Sequence, residues 1–251
     1  MKRAELEKHL NDFLKIGEFR DYCSNGLQVE GKDEIATVVT GVSASRQFIE
    51  AAVEAGADAV IVHHGLFWKG DDPCVRGVLK ARLAPLLKAD VSLFAYHLPL
   101  DAHPELGNNV LLAQRLGIRQ IGWCDGCETH PMVGLGEIPD ETVEDFAARI
   151  DRLLGHRNSQ IVGDRRRVAR KVAWCTGSAS EFMPLAAEHG ADVFVTGEAP
   201  ERAVHVAEEL GIALVTAGHH CTETLGIEAL GEHIGRQFAT HVRFINIPNN
   251  F

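Results

Sequence analysis

Apolar residues recur along this chain in two rhythms. Near the start, Leu6, Leu10, Phe13 and Leu14 fall three or four positions apart, which predicts an amphipathic helix over residues 4–16. Further on, short unbroken apolar runs replace that spacing, at 37–41, 59–62, 92–96, 172–175, 193–196 and 213–216. Such runs predict strands buried within a sheet. Helical spacing returns between them, as at 46–55, 108–116, 142–154, 181–188 and 203–209. Strands alternating with helices predict an α/β protein with mixed sheets flanked by helices and substantial parallel pairing.

The pattern is also repeated. Ser43-Ala44-Ser45 follows one strand and Ser178-Ala179-Ser180 another, each leading into a helix. Ala55-Gly56-Ala57-Asp58 and His189-Gly190-Ala191-Asp192 then precede short apolar strands that end in His63-His64 and in Gly197-Glu198, a constant offset of 134 residues. His97-x-x-x-Asp101 and His219-x-x-x-Glu223 follow later strands, separated by 122 residues at both the imidazole and the carboxylate. The expectation is two pseudo-symmetric α/β halves, residues 1–121 and 171–251, with 122–170 as a short connecting excursion. Equivalent strand ends would then face one cleft holding the functional site.

Composition narrows the function. A length of 251 residues with 45% hydrophobic content supports a real core. A formal net charge of −10 argues against duplex nucleic acid as a partner. The one basic run, Arg165-Arg166-Arg167, reads as a solvated loop. The N-terminal Met1–Glu7 stretch is charged where a secretory signal is apolar, and no apolar run approaches a membrane span, so the expectation is a cytoplasmic protein with reduced cysteines. Cys124-Asp125-Gly126-Cys127 has CxxC spacing, but no second CxxC or CxxH is present to complete a zinc site.

The candidate chemistry lies at the strand ends, where α/β proteins assemble their sites. Imidazole plus carboxylate without thiolate suits Zn, Mn, Fe or Co. His63 and His64, His219 and the carboxylates Asp101 and Glu223 are the candidate ligands. Adjacent histidines on a continuing strand point to opposite faces, so meeting metal requires a turn that Gly65 would permit. Such a pair suits two cations better than one, and Asp101 or Glu223 could bridge them. His97 and His220 could each ligate, orient a ligand or carry a proton. The turn at Thr176-Gly177-Ser178 could offer N–H groups to a phosphate, or could simply be a tight connection.

Four segments carry a resemblance: Ser24-Asn25-Gly26-Leu27-Gln28-Val29-Glu30-Gly31, Val62-His63-His64-Gly65-Leu66-Phe67-Trp68, His97-Leu98-Pro99-Leu100-Asp101 and Gly218-His219-His220-Cys221-Thr222-Glu223. From about Asp21 to Asn249 the chain resembles the GTP cyclohydrolase 1 type 2, or Nif-three-like, family, and within it the short bacterial YbgI branch. The resemblance implies two related α/β halves, a dinuclear metal centre and a ring-shaped homohexamer. It also implies His63, His64, Asp101, His219 and Glu223 as metal ligands, with His97 nearby.

The function expected is a hydrolase dependent on two divalent cations, acting on a small molecule such as a nucleotide or related heterocycle, with His97 as the catalytic proton carrier. The alternative is a non-catalytic, metal-stabilised hexameric interaction platform.

Overall fold

The computed structural model describes residues 1–126, 130–155 and 159–249. In chain order the strands are β1 (Gly26–Val29), β2 (Thr37–Ser43), β3 (Ala59–His64), β4 (Ser92–Ala95), β5 (Arg119–Trp123), β6 (Gly134–Thr142), β7 (Gln160–Val162), β8 (Val168–Trp174), β9 (Val193–Thr196), β10 (Ala213–Thr216) and β11 (His241–Phe244). The helices are α1 (Arg3–Phe13), α2 (Arg46–Glu54), α3 (Gly77–Ala89), α4 (Leu98–Asp101), α5 (Asn108–Arg115), α6 (Val143–Leu154), α7 (Met183–Glu188), α8 (Arg202–Leu210), α9 (His219–Thr222) and α10 (Thr224–Phe238). Among the described residues no helix is long and apolar enough to cross a membrane.

The first compact unit comprises residues 1–100 and 226–247. Its sheet has the order β1-β4-β3-β2-β11, parallel except for β1. The predicted runs at 37–41 and 59–62 are its centre, and Val38, Val39, Val60 and Val62 are fully buried there. Ser45 caps α2 by accepting the Phe48 N–H at 3.2 Å, and Phe48, Ile49 and Ala52 face the sheet. Phe48 packs so closely on β2 that any side chain at Gly41 would overlap its ring.

The second unit comprises residues 101–225, with the final residues from Pro248. Its sheet runs β5-β6-β8-β9-β10-β7, with β8, β9 and β10 parallel and the flanking strands antiparallel. Thr142 caps α6 through the Asp145 N–H, and Val143, Phe146, Ala147 and Ile150 turn its apolar face to the core.

This partition differs from the one expected at 1–121, 122–170 and 171–251. Residues 101–121 belong to the second unit, and 122–170 supplies β6, α6 and β7 to its sheet instead of forming an excursion. Residues 226–247 return to the first unit, where β11 pairs with β2. The strand β6 escaped notice because Gly134, Gly136 and Pro139 interrupt its apolar run. The glycines are required, since Trp174 lies where a side chain at Gly134 would project.

The internal repeat is present in the ladders themselves. The order β1-β4-β3-β2 recurs as β7-β10-β9-β8. Val38 pairs with Ala59, and Val172 with Val193, each partner 134 residues on. Leu27 opposite Phe94 recurs as Ile161 opposite Val215. The match between β4 and β10 carries an offset of 121, however, because Ala59 pairs with Ser92 and Val193 with Ala213. Ladder equivalence therefore sets Gly218 against His97 and leaves His219 one residue further along. The offset of 122 is a step out of register, at a turn where Gly218 adopts φ +88°.

The repeated Gly-Ala-Asp has a structural task. Asp58 Oδ2 accepts the N–H groups of Ala36 at 2.7 Å and Thr37 at 2.8 Å. Asp192 Oδ2 accepts those of Arg170 at 3.0 Å and Lys171 at 2.9 Å. Each carboxylate ties the start of one parallel strand to its neighbour.

Candidate metal centre

In the first unit, β3 carries His63 and His64 to its C-terminal end, and His97 follows β4. The ligand atoms of the three imidazoles lie within 4.8 Å of one another. The rings of His63 and His64 have centroids 4.6 Å apart, so the divergence expected of strand neighbours is not realised. The reason is that each ring is drawn to an adjacent strand end. His63 Nδ1 lies 3.0 Å from the Tyr96 carbonyl, beyond β4, while His64 Nδ1 lies 3.0 Å from Ser43 Oγ, at the end of β2. His97 Nδ1 meets Asp21 Oδ1 at 2.9 Å. The carbonyl and the carboxylate can only accept, so Nδ1 of His63 and of His97 donates and Nε2 is left as ligand or base, while Ser43 Oγ, able to donate or accept, holds His64 Nδ1.

Gly65 serves a purpose different from the turn expected of it. It is absent from the residues with positive φ. Instead, a Cβ there would overlap the Gln28 amide, whose Oε1 accepts the Leu66 N–H at 2.7 Å. The segment Ser24–Gln28 therefore fastens the loop after the two histidines. Trp68 completes this side, its ring 5.0 Å from that of His97 and edge-on to it.

Asp21 is a site residue that the sequence reading missed. Its carboxylate is almost fully buried and accepts the N–H of Cys23 at 3.0 Å, the N–H of Leu98 at 3.0 Å and the Asn25 amide at 2.9 Å. Burial alone would raise its pKa, but the hydrogen bonds from His97 and Cys23 outweigh burial and hold it well below the usual carboxylate range. Asn25 Oδ1 in turn accepts the His97 N–H at 2.8 Å.

The second unit gathers carboxylates. Asp101 and Glu223, both buried, offer oxygens within 4.8 Å of one another. Asp101 Oδ1 accepts from Asn108 Nδ2 at 2.8 Å and Thr176 Oγ1 at 3.3 Å. His219 lies between two acids, with Nε2 3.2 Å from Glu223 Oε2 and Nδ1 3.0 Å from Glu198 Oε1. Burial pushes the His219 pKa down, but Glu223 and Glu198 outweigh it and raise the value to about 9. Glu198 is the second missed residue. The 134-residue offset that pairs His63 with Gly197 pairs His64 with Glu198, which was the available signal.

Gly177 adopts φ +67°, and a Cβ there would overlap Glu223 Oε1 and lie 3.3 Å from His219 Nε2. The backbone thus makes room for the carboxylate. The same turn is not an open phosphate cradle. The Thr176 N–H goes to Asn109 Oδ1 at 3.0 Å and the Gly177 N–H to Thr222 Oγ1 at 3.1 Å. His220 is buried but belongs to none of the candidate ligand groups. Among the described residues no cysteine belongs to the candidate ligand groups, and burial pushes the Cys23 thiol up to about 11 and also raises that of Cys221. Of the CxxC pair, Cys124 is buried and Cys127 lies outside the described residues.

The donor set fits transition-metal cations: imidazole nitrogens oriented from behind, and buried carboxylates, one of them against a glycine turn where a Cβ would overlap it.

Comparison with known proteins agrees over the whole length. The GTP cyclohydrolase 1 type 2 homolog of Yersinia pestis is 47% identical over 252 residues, covering 99% of each chain. Among solved structures, protein ybgI, described as of unknown function, superposes with a TM-score of 0.93 at 45% identity, covering 100% of both chains. TTHA1606 from Thermus thermophilus gives 0.88 at 34% identity, again over 100% of both. The profile of the Duf34/NIF3 (NGG1p interacting factor 3) family matches residues 1–250, and the chain belongs to that family.

Proposed function

We propose that this protein is a hydrolase dependent on two divalent cations held by His63, His64, Asp101, His219 and Glu223, acting on a nucleotide or related heterocycle. One observation carries the reading. The three imidazoles at the ends of β3 and β4 are each anchored through Nδ1 by a different partner, and their ligand atoms lie within 4.8 Å of one another. Structural histidines have no need of three such anchors at one point. The carboxylates beside His219 supply the anionic donors that cations of this class require. The substrate class follows the name "GTP cyclohydrolase 1 type 2 homolog" carried by relatives more than 40% identical.

When bound, the cations supply Lewis acidity and activate water as a nucleophile. The chain's own residues do the rest. Asp21 keeps the proton of His97 on Nδ1, so Nε2 is the atom that accepts a proton and returns it to the leaving group. Trp68, edge-on to His97, limits water around that ring.

Elemental analysis of the purified protein tests the reading. Close to two transition-metal ions per chain are expected, with occupancy lost in His63→Ala and Glu223→Ala. Full retention in both variants overturns the ligand assignment. His97→Ala is expected to keep its metals while kcat falls roughly 10²–10⁴-fold. Asp21→Asn, acting through His97, is expected to lose roughly 10–100-fold in rate. Loss of metal from His97→Ala would make His97 a ligand instead. Two bound metals with no hydrolysis of any nucleotide tested would favour an interaction platform.

A further inference from the structure

A cavity of about 350 Å³ opens in the first unit beside Trp68, between the loop after β3 and the start of α3. Its volume is at the lower end of the range for small-molecule sites. Phe67 and Trp68 form one wall, both half-buried, and Leu79 adds apolar surface. The polar groups are unequal. Arg76 is committed to Asp72, with Nη2 at 2.5 Å and Nε at 3.2 Å from the same oxygen. Asp71 is exposed at the rim, where water screens it. Arg82 is half-buried, and among the described residues no carboxylate pairs with it.

A guanidinium drawn partly out of water beside aromatic rings, with its donors uncommitted, is suited to a planar anion. Its fork matches phosphate oxygens, and the indole face accepts a stacked heterocycle. Trp68 also abuts His97, so this one side chain is shared between the cavity wall and the imidazole cluster, although no imidazole lines the cavity itself. We propose that this cavity binds the phosphate-bearing substrate itself, with Arg82 taking the phosphate and the Phe67–Trp68 wall taking the heterocycle. The inference rests on the reading of the site as a hydrolase for a nucleotide or related heterocycle, and it names the residue that recognises the anionic end.

Titration calorimetry of the full-length protein with GTP, guanosine and inorganic triphosphate decides it, using metal-loaded and chelator-treated samples. Among the described residues Arg82 makes no hydrogen bond or ion pair that alanine would forfeit, and alanine favours the helix, so Arg82→Ala is expected to fold. The wild type should bind GTP, with guanosine weaker by roughly ten- to a hundredfold. Arg82→Ala should lose the same factor, and Arg82→Lys should recover part of it, since lysine restores charge without the fork. Binding of GTP by Arg82→Ala within about twofold of the wild type overturns the proposal. So does equal affinity for guanosine and GTP, or no GTP binding by the wild type at millimolar concentration. Metal content separates this inference from the one beneath it. A wild type without metal defeats the hydrolase reading, while the chelator-treated samples still decide whether affinity depends on Arg82.

Discussion

In the first unit Asp58 gathers the N–H groups of Ala36 and Thr37, and in the second Asp192 gathers those of Arg170 and Lys171, residue for residue at the same offset. At the other end of the same strands the correspondence stops. His63 and His64 stand where the second unit has Gly197 and Glu198, and Ser43, which touches His64, stands where it has Gly177. The strand starts need the same interaction in both sheets, so they have kept it. The strand ends have divided the chemistry, with imidazoles in one unit and mostly carboxylates in the other. What the repeat conserves is scaffold, and what it varies is the donor set.

The sharpest way to break this comparison is at Gly197. Its counterpart carries the bulky imidazole of His63, yet a Cβ at Gly197 would lie 2.6 Å from both the Gly177 carbonyl oxygen and His219 Cα. Those are backbone atoms that cannot swing aside. Gly197→Ala is expected to cost about 3 kcal/mol in urea unfolding. A loss below about 1 kcal/mol would show that the second unit can accept a side chain there after all.

The Asp58→Ala and Asp192→Ala variants come next. Each removes a carboxylate that accepts two backbone donors, so each is expected to cost about 2 kcal/mol at pH 7. The two costs should agree to within about 1 kcal/mol, and a larger gap would mean that the strand starts are not functionally alike. The dependence on pH has a definite sign. Burial alone would raise both carboxyls, but Lys32 with the Ala36 and Thr37 N–H groups lowers Asp58, and the Lys171 and Arg170 N–H groups with Arg167 lower Asp192. A group whose folded pKa is depressed contributes fully above its unfolded value of about 3.9 and loses that contribution as pH falls through the folded one. The deficit of each variant should therefore shrink below about pH 4. An unchanged deficit at pH 3 would assign it to packing.

The smallest effect is expected at Ser43. Ser43→Ala removes one hydrogen bond to His64 Nδ1 and should weaken metal binding roughly fivefold in a chelator competition, with unfolding changed by under about 1 kcal/mol. No change in metal affinity would mean that His64 needs no support from β2.

The parallel strands were legible because burial on both faces forces apolar runs at 37–41 and 193–196, and the helices because Phe48, Ile49 and Ala52 repeat at helical spacing. The flanking strands were not. β7 is three residues long, and β11 alternates in exposure and takes its register from β2. Five of the ligand candidates stood out through adjacency or spacing. Asp21 and Glu198 did not, because each acts by holding another residue's Nδ1, and no spacing rule records a bond from Asp21 to His97 across the intervening strands.

Gly197 also bears on how this chain could change. A mutation placing histidine at 197 would rebuild the symmetric pair in sequence but collide with backbone from two directions. It could be tolerated only after the turn at Gly177 and the start of α9 had moved, and those shifts would first disturb Glu223 and His219. The difference between the two halves is therefore locked at this position: the neighbouring backbone occupies the space that a side chain at 197 would need.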